Sequence, residues 1–507
     1  MPPESIAELP RSHAEEAAKA RLKRIGVIDV GSNSVRLVVF DGIARSPAYF
    51  YNEKVLCGLG AGLRETGHLS PAGRAKALAA LKRFAALADG MELSGLIALA
   101  TAAVRLASDG PAFCDEIERA TGLQLHVASG SEEARLAAKG VLLGWPDADG
   151  LVCDMGGASM ELAQVSKGEI RACASSPLGP LQLADIRDPA LQAKAIRKEL
   201  KALRKAIPAT EQRLFLVGGS WRAIARLDME RVGYPLKVLH DYAPPIPQLL
   251  ETVKWVRTQD QATLSSLTGT SAARLSLIPL AGDVLAAFLR RFEPARVSIS
   301  AYGLREGLLY RQMPEAMRVL DPLIEACRHM EAASARQPGF GAALAAWLGD
   351  FFADRSPAER RLILAACLLH DVNWRAHPDY RAELCFESVT RANVAGIDHA
   401  DRVFLGLALL NRYKVVSPVD EVEPCRRLLS PERAAEAAVL GRAMRLGAML
   451  SGSATGALDH AALVRGEGRL MLRLRGPGRA FAGEAVERRL QALAERIGCT
   501  PELVLED

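Results

Sequence analysis

The order of apolar and polar residues near the start of the chain predicts two strands joined by a tight turn. Ile25, Val27 and Ile28 form a short apolar run, the polar segment 29–34 interrupts it, and apolar, largely β-branched residues resume at 35–40. Short apolar runs bounded by turn residues are typical of buried strands. The pattern therefore indicates a hairpin whose polar turn lies at the end of a buried strand.

The polar turn carries residue types that suit an anion. Gly31 lets the backbone approach a ligand closely, and Ser32, Asn33 and Ser34 add side-chain donors to the concave row of turn N–H groups. We expect phosphate there, with Asp29 holding Mg²⁺ directly or through water, because this ion keeps several waters and takes few carboxylates. A single turn of this composition is more often structural than functional.

The chain repeats this pattern 125 residues later, which turn chemistry alone does not explain. Residues 154–162 match residues 29–37, with Asp, Gly, Ser and Leu in register. At the charged position that differs, the first copy has Arg36 and the second has Glu161. Two such turns facing each other would offer a cation for phosphate and a carboxylate for metal or water. This layout predicts a two-lobed site for phosphate transfer.

Five motifs, taken in order, resemble those of the exopolyphosphatase/guanosine pentaphosphatase family. They occupy residues 29–37, 100–105, 129–136, 154–162 and 218–220. That family belongs to the actin, sugar-kinase and heat-shock-chaperone ATPase superfamily, in which two ribonuclease-H-like lobes clasp phosphate between paired loops. The resemblance is firm over residues 24–310 and loose beyond them. One departure is Ala158, where the family's second loop usually has a third glycine.

The resemblance implies roles for particular residues. Glu132 matches the family's carboxylate that positions and deprotonates the attacking water, whereas Glu133 fits an ordinary acidic residue of a helix first turn. The metal ligands are expected to be Asp29, Asp154 and Glu161. Arg305 and Glu306, in a segment similar to the family's closing segment, are interpreted as an interlobe pair. The expected phosphate-binding residues are Gly31, Ser32, Asn33, Ser34, Arg36, Arg105, Gly156, Gly157, Ala158, Ser159, Gly218, Gly219 and Ser220.

Periodicity and resemblance together predict an α/β fold with two ribonuclease-H-like lobes, a helical HD-like domain and a small α+β C-terminal cap. The expected boundaries are an extension at 1–23, lobes at 24–145 and 146–310, the helical domain at 311–450 and the cap at 451–507. His370 and Asp371 follow an apolar helix, as in the HD phosphohydrolase signature. A metal site of that type needs further ligands, and a lone His-Asp pair is more often structural.

Composition limits the classes of binding partner and the cellular location that we expect. A net charge of +5 and a pI near 8.7 are modest for a nucleic-acid-binding protein but suit a small polyanionic substrate, so we expect no nucleic acid partner. Nine cysteines without a C-x-x-C pair indicate neither a disulfide framework nor a zinc ribbon. The sequence shows no secretory leader and no apolar run long enough for a membrane span. A cytoplasmic homodimer is expected.

The leading hypothesis is an Mg²⁺-dependent exopolyphosphatase, in which a glutamate-activated water attacks the terminal phosphate of inorganic polyphosphate in line. The nearest alternative is hydrolysis of the 5′ phosphate of guanosine pentaphosphate at the same site, with guanosine penta- or tetraphosphate as substrate or regulator. A sugar or acetate kinase is disfavoured because a kinase must exclude water, whereas Glu132 matches a carboxylate that directs water to the phosphate. A non-enzymatic sensor is disfavoured because the carboxylates Glu132, Asp154 and Glu161 are all present. Low aromatic content favours polyphosphate over a guanine-stacking substrate, with the basic residues 197–205 as one candidate path.

Overall fold

The structure is a computed structural model that describes residues 23–208, 212–269, 275–413 and 422–506. The chain divides into two compact units, the first ending at Pro322 and the second beginning at Leu323. Of the predicted extension at 1–23, only Lys23 lies within the described residues. Across the described ranges, no helix combines the length and the apolar character that crossing a bilayer requires.

The first sheet of the first unit contains the predicted hairpin. Its strands are β1 (Ile25–Val30), β2 (Ser34–Phe40), β3 (Tyr49–Leu56), β4 (Gly95–Ala100) and β5 (Leu125–Val127), in the order β3-β2-β1-β4-β5. Strand β1 lies antiparallel to β2 and parallel to β4. The accompanying helices are Leu63–Thr66, Pro71–Gly90, Ala102–Leu106, Gly110–Thr121 and Gly130–Gly144.

The second sheet has the same topology. Its strands are β6 (Gly150–Met155), β7 (Met160–Ser166), β8 (Glu169–Ser176), β9 (Arg213–Val217) and β10 (Arg296–Ile299), in the order β8-β7-β6-β9-β10. The accompanying helices are Pro180–Ala184, Pro189–Ala206, Gly219–Arg231, Ile246–Val256, Gln261–Thr268, Ile278–Phe292, Leu304–Gln312 and Glu315–Arg318. The two copies of the sequence repeat therefore occupy equivalent strands of two sheets with the same topology.

Burial explains why the strands that carry the two turns are fixed in place. Val27, Ile28 and Val30 of β1 have no solvent exposure, and the apolar residues of β6 are nearly as buried. The burial of one such side chain contributes about 1.5–3 kcal/mol. Each polar turn therefore projects from the end of a rigid central strand.

A close helix crossing fixes the segment that bears Glu132 and Glu133. The helix Gly130–Gly144 packs against Leu304–Gln312, and the two backbones meet at glycines. A Cβ added at Gly307 would lie 1.8 Å from the carbonyl oxygen of Leu136, and one at Gly140 would lie 2.2 Å from that of Gly303. No other residue fits there without moving the helices apart.

The second unit is mostly helical and ends in a small three-stranded sheet. Strands β11 (Ala461–Arg465), β12 (Arg469–Arg475) and β13 (Thr500–Glu506) are ordered β11-β12-β13. The helices are Pro322–Ser334, Phe340–Trp347, Pro357–Leu369, Arg381–Arg391, His399–Tyr413, Glu423–Arg426, Pro431–Ser451 and Glu484–Arg496, with short 3₁₀ segments at Thr455–His460 and Gly476–Phe481. The mixed α/β character agrees with the prediction, whereas the domain boundaries, the ribonuclease-H-like lobes and the HD-like domain stay predictions.

Candidate active site

The two repeated turns share one hydrogen-bond pattern. The N–H of Gly31 donates to the carbonyl oxygen of Ser34 at 3.0 Å, and the N–H of Gly156 donates to that of Ser159, also at 3.0 Å. Both turns are therefore closed by the same backbone hydrogen bond between corresponding residues.

The charged residues of the two hairpins occupy matching positions. Asp29 lies opposite Arg36 across β1 and β2, and Asp154 lies opposite Glu161 across β6 and β7. Cross-strand neighbours of this kind project on the same side of a sheet. Each hairpin therefore presents an aspartate and one further charged group beside its turn.

The two turns lie close together. A Cβ added at Gly157 would be 3.4 Å from the Cβ of Ser32. The Ser32 carbonyl oxygen accepts from the N–H of Gly60 at 2.8 Å, and that of Asn33 accepts from the N–H of Cys57 at 3.0 Å, which holds the first turn in shape. Buried Ala158 lies within the second turn. The predicted phosphate-binding residues 31–34 and 156–159 are therefore brought to one place.

A third loop, at residues 218–220, lies next to the strand end that carries the second turn. Gly218 has φ 110°, where side chains other than hydrogen are strained, and a Cβ there would lie 2.8 Å from Oδ1 of Asp154. Gly219 and Ser220 begin the helix Gly219–Arg231. The first N–H groups of a helix have no partner within it and favour anions. The glycine thus allows an anion-binding helix terminus to approach Asp154.

Three arginines surround these loops. From the sequence, only one of them, Arg36, was expected in the site. The Nη1 of Arg305 lies 3.7 Å from the carboxylate of Asp29, and its Nε is buried without a hydrogen-bond partner in the part of the chain that the structure describes. Arg222 donates from Nε to the carbonyl oxygen of Gly218 at 3.1 Å. Burial, followed by the charges of Arg305 and Arg222, lowers the pKa of Arg36 to about 10. This concentration of positive charge is suited to a polyanion.

Arg305 and Glu306, interpreted from the sequence as an interlobe pair, each contact a residue of the first sheet. Arg305 pairs with Asp29, whereas the buried carboxylate of Glu306 accepts from the N–H of Gly303 at 2.7 Å and from the hydroxyl of Tyr49 at 2.9 Å. Both residues therefore link the closing segment to the first sheet, and Arg305 also belongs to the site.

Of the three carboxylates predicted to bind metal, Glu161 is buried and Asp29 and Asp154 are half-buried, and their charges influence one another. Burial raises the pKa of Asp154 to about 6, and the charge of Asp29 adds to the rise. The pKa of Glu161 is raised well above its usual range by burial and then by Glu133, although Ser175 donates to its carboxylate at 3.0 Å. Over the described ranges, no three His, Cys, Asp or Glu residues are arranged as a ready cluster for a metal ion.

Glu132 and Glu133 have different surroundings. The carboxylate of Glu132 lies 2.8 Å from Nε2 of His126 and 3.4 Å from Nη1 of Arg311, and 28% of its side chain is exposed. Glu133 is buried and forms an ion pair with Arg105. Burial, together with the charges of Asp154 and Asp29, raises the pKa of Glu133 to about 7 against the opposing charge of Arg105. The base role of Glu132 stays a prediction.

Helical periodicity contains the signal that separates these two glutamates. Glu133 is in phase with buried Ala137 and Gly140, whereas Glu132 is in phase with exposed Arg135 and half-buried Lys139. Residues three, four or seven apart share one face of a helix. Glu133 is therefore on the inward face of the helix.

His370 and Asp371 belong to a buried network of the second unit. Arg336 donates two hydrogen bonds to Asp371 at 2.7 and 2.8 Å, and the hydroxyl of Tyr413 donates to the carbonyl oxygen of His370 at 2.8 Å. Burial lowers the pKa of His370 to about 4. These contacts fit the structural interpretation of the pair.

Comparison with known proteins gives consistent matches. Residues 38–316 match the model of the Ppx/GppA phosphatase family, and residues 323–504 match that of the exopolyphosphatase C-terminal region. Exopolyphosphatase 1 of Mycobacterium tuberculosis is 27% identical over 310 residues, which cover 57% of this chain and 88% of the relative. The corresponding protein of Mycobacterium leprae is 26% identical over 306 residues, covering 57% of this chain and 89% of the relative.

A solved structure is similar to the fold of part of this chain. The exopolyphosphatase from Cytophaga hutchinsonii superimposes with a TM-score of 0.53 at 27% identity, covering 57% of this chain and 97% of that protein. The family model spans more than half of the chain; it begins at residue 38, directly after the first repeated motif, and includes the second. The chain therefore belongs to the Ppx/GppA phosphatase family.

Proposed function

We propose that the protein is an exopolyphosphatase, which hydrolyses the terminal phosphate of inorganic polyphosphate with the help of Mg²⁺. The observation that carries the proposal is the combination of a buried glutamate of raised pKa, Glu133, with three half-buried arginines where three glycine-containing turns meet. Relatives in Mycobacterium named exopolyphosphatase support the same substrate.

The turns and arginines would bind the terminal phosphoryl group. Backbone N–H groups of residues 32–34 and 157–159 and of the helix terminus at Gly219 would donate to its oxygens, while those of Gly31 and Gly156 close the two turns. Arg36, Arg222 and Arg305 would neutralise the negative charge that spreads over these oxygens in the transition state. The unpartnered Nε of Arg305 suits such an acceptor.

We assign the general base to Glu133, in place of Glu132. A base works best when its pKa lies near the working pH, and that of Glu133 is about 7. Glu133 would take a proton from water while the water oxygen bonds to the terminal phosphorus. The bridging anhydride oxygen then leaves with the shortened chain. Arg105 would orient the Glu133 carboxylate through their ion pair.

The donor set fits Mg²⁺. Asp29 and Asp154 supply hard oxygens. Burial and then the charge of Asp29 raise the pKa of Asp154, and a bound divalent cation would relieve the repulsion between the two carboxylates. Mg²⁺ is usually held by one or two carboxylates, waters and substrate phosphates, so a three-residue cluster is not required. Glu161, whose carboxylate accepts from Ser175, would contribute directly or through a water. The ion, when bound, would neutralise charge on the phosphoryl oxygens.

Phosphate release by one preparation from long polyphosphate and from guanosine pentaphosphate, with and without Mg²⁺, tests the proposal. We expect Mg²⁺-dependent release and a higher kcat/KM for polyphosphate at moderate salt. A higher kcat/KM for guanosine pentaphosphate would replace the proposed substrate with its rival. The homodimer, the cytoplasmic location and any role of guanosine tetraphosphate stay predictions.

A further inference from the structure

A row of charged side chains runs along the outer face of the helix that carries Glu133. Glu132, Arg135 and Lys139 are spaced three and four residues apart and therefore share one face. Arg135 is exposed and Lys139 is half-buried. At 1.5 Å per residue, the row extends about 10 Å from the turn that bears the proposed base.

The end of the helix Leu304–Gln312 and the residues after it add two cations to this row. Arg311 reaches the carboxylate of Glu132 at 3.4 Å, and Nη2 of Arg318 donates to the carbonyl oxygen of Arg311 at 3.0 Å. Burial and then the charges of Arg318, Arg311 and Arg135 lower the pKa of Lys139. The four cations therefore lie near enough to repel one another.

Little negative charge balances these four cations. Within the described ranges, Glu132 is the one carboxylate that forms an ion pair with any of them, and it pairs with Arg311. Like charges held together destabilise a protein, so an arrangement of this kind is explained more readily by a polyanionic ligand than by folding. The guanidinium of Arg318 already covers the ring of Tyr310, with its Cζ 5.2 Å from the ring centroid, so this ring is not open for a base to stack on.

We propose that Arg135, Lys139, Arg311 and Arg318, called the cationic row, bind the internal phosphates of a polyphosphate chain whose end lies at Glu133. The proposal rests on the proposed exopolyphosphatase activity and names the surface that favours long substrates. A polymer of regularly spaced negative charges matches a linear set of cations, whereas a nucleoside would need a stacking surface. The row thereby supplies a preference that the three turns cannot supply, since they contact only the terminal group.

The test compares two variants with the same loss of charge. Arg135→Gln/Lys139→Gln changes the cationic row, and Lys198→Gln/Lys201→Gln changes two exposed lysines on the helix Pro189–Ala206. KM and kcat are measured for long polyphosphate and for tripolyphosphate over a series of salt concentrations. For the row variant we expect KM for long polyphosphate to rise about tenfold at low salt, with a weaker salt dependence, because screened attraction is lost. Its kcat and its tripolyphosphate kinetics should stay within about twofold of wild type.

Each contrary outcome has a separate meaning. An unchanged KM for long polyphosphate in the row variant overturns the inference while leaving the activity itself intact. An equal or larger loss in the Lys198/Lys201 variant also overturns it, because the effect is then general or the chain follows the other helix. Failure of wild-type protein to release phosphate from either substrate removes the proposed function, and this inference with it.

Discussion

Replacing Glu133 by glutamine should nearly abolish phosphate release, whereas the same change at Glu132 should have little effect. Glutamine has the size of glutamate but cannot accept the proton of the attacking water. Loss of a general base typically lowers the rate by about 10²–10⁴-fold, which is about 3–5 kcal/mol in the barrier. At Glu132 the change removes partly exposed contacts with His126 and Arg311, which contribute about 0–1 kcal/mol to stability.

The raised pKa of Glu133 also predicts a change in stability with a definite sign. Its pKa rises from an ordinary 4.5 to about 7 in the folded protein, so the folded state binds this proton more tightly than the unfolded state. Stability is therefore lost as pH rises from about 4.5 through about 7, by about 3 kcal/mol. Glu133→Gln should thus be more stable than wild type at pH 8, and the difference should shrink toward pH 5.

Both effects are measured on the same three proteins: wild type, Glu133→Gln and Glu132→Gln. Steady-state phosphate release gives kcat and KM, and thermal unfolding at pH 5 and pH 8 gives relative stability. Full activity in Glu133→Gln together with loss of activity in Glu132→Gln would refute the assignment of the base. A Glu133→Gln protein that is inactive and less stable than wild type at pH 8 would refute the electrostatic argument.

Three further changes test other parts of the site and the fold. Arg105→Gln removes a charge that lowers the pKa of Glu133, so the acid limb of the kcat/KM profile should move above about pH 7; a limb that stays in place would mean that another group titrates. Asp29→Asn and Asp154→Asn should each raise the Mg²⁺ concentration needed for half-maximal phosphate release, and an unchanged requirement in both would locate the metal elsewhere. Arg336→Met leaves the buried Asp371 without its bidentate partner, which should cost about 2 kcal/mol of stability in urea unfolding but leave kcat unchanged. A fall in kcat with unchanged stability would instead indicate a functional role for that pair.

The elements that could be predicted are those specified by neighbouring residues. Each hairpin is encoded within about a dozen positions by a buried strand, a glycine-containing turn and a second strand, so both copies and their Asp residues were visible in the sequence. The glycine at 218 was also identified, although its reason, the approach to Asp154, appears only in three dimensions.

The elements that escaped prediction depend on contacts between distant segments. Arg305 acquires its role by reaching Asp29, which lies 276 residues earlier in the chain. Arg222 contributes because its helix begins beside Asp154. The choice between Glu132 and Glu133 is different, since helical phase already separated the inward from the outward glutamate.

Analysis of the products formed from long polyphosphate in Mg²⁺ tests the central claim most directly. A site that binds one terminal phosphoryl group between paired turns should release inorganic phosphate from the first turnover, while the remaining chains shorten from their ends. Separation of the products by length at early times distinguishes the outcomes. We predict inorganic phosphate together with long residual chains. Fragments of intermediate length without inorganic phosphate, or no phosphate at all, would contradict the account.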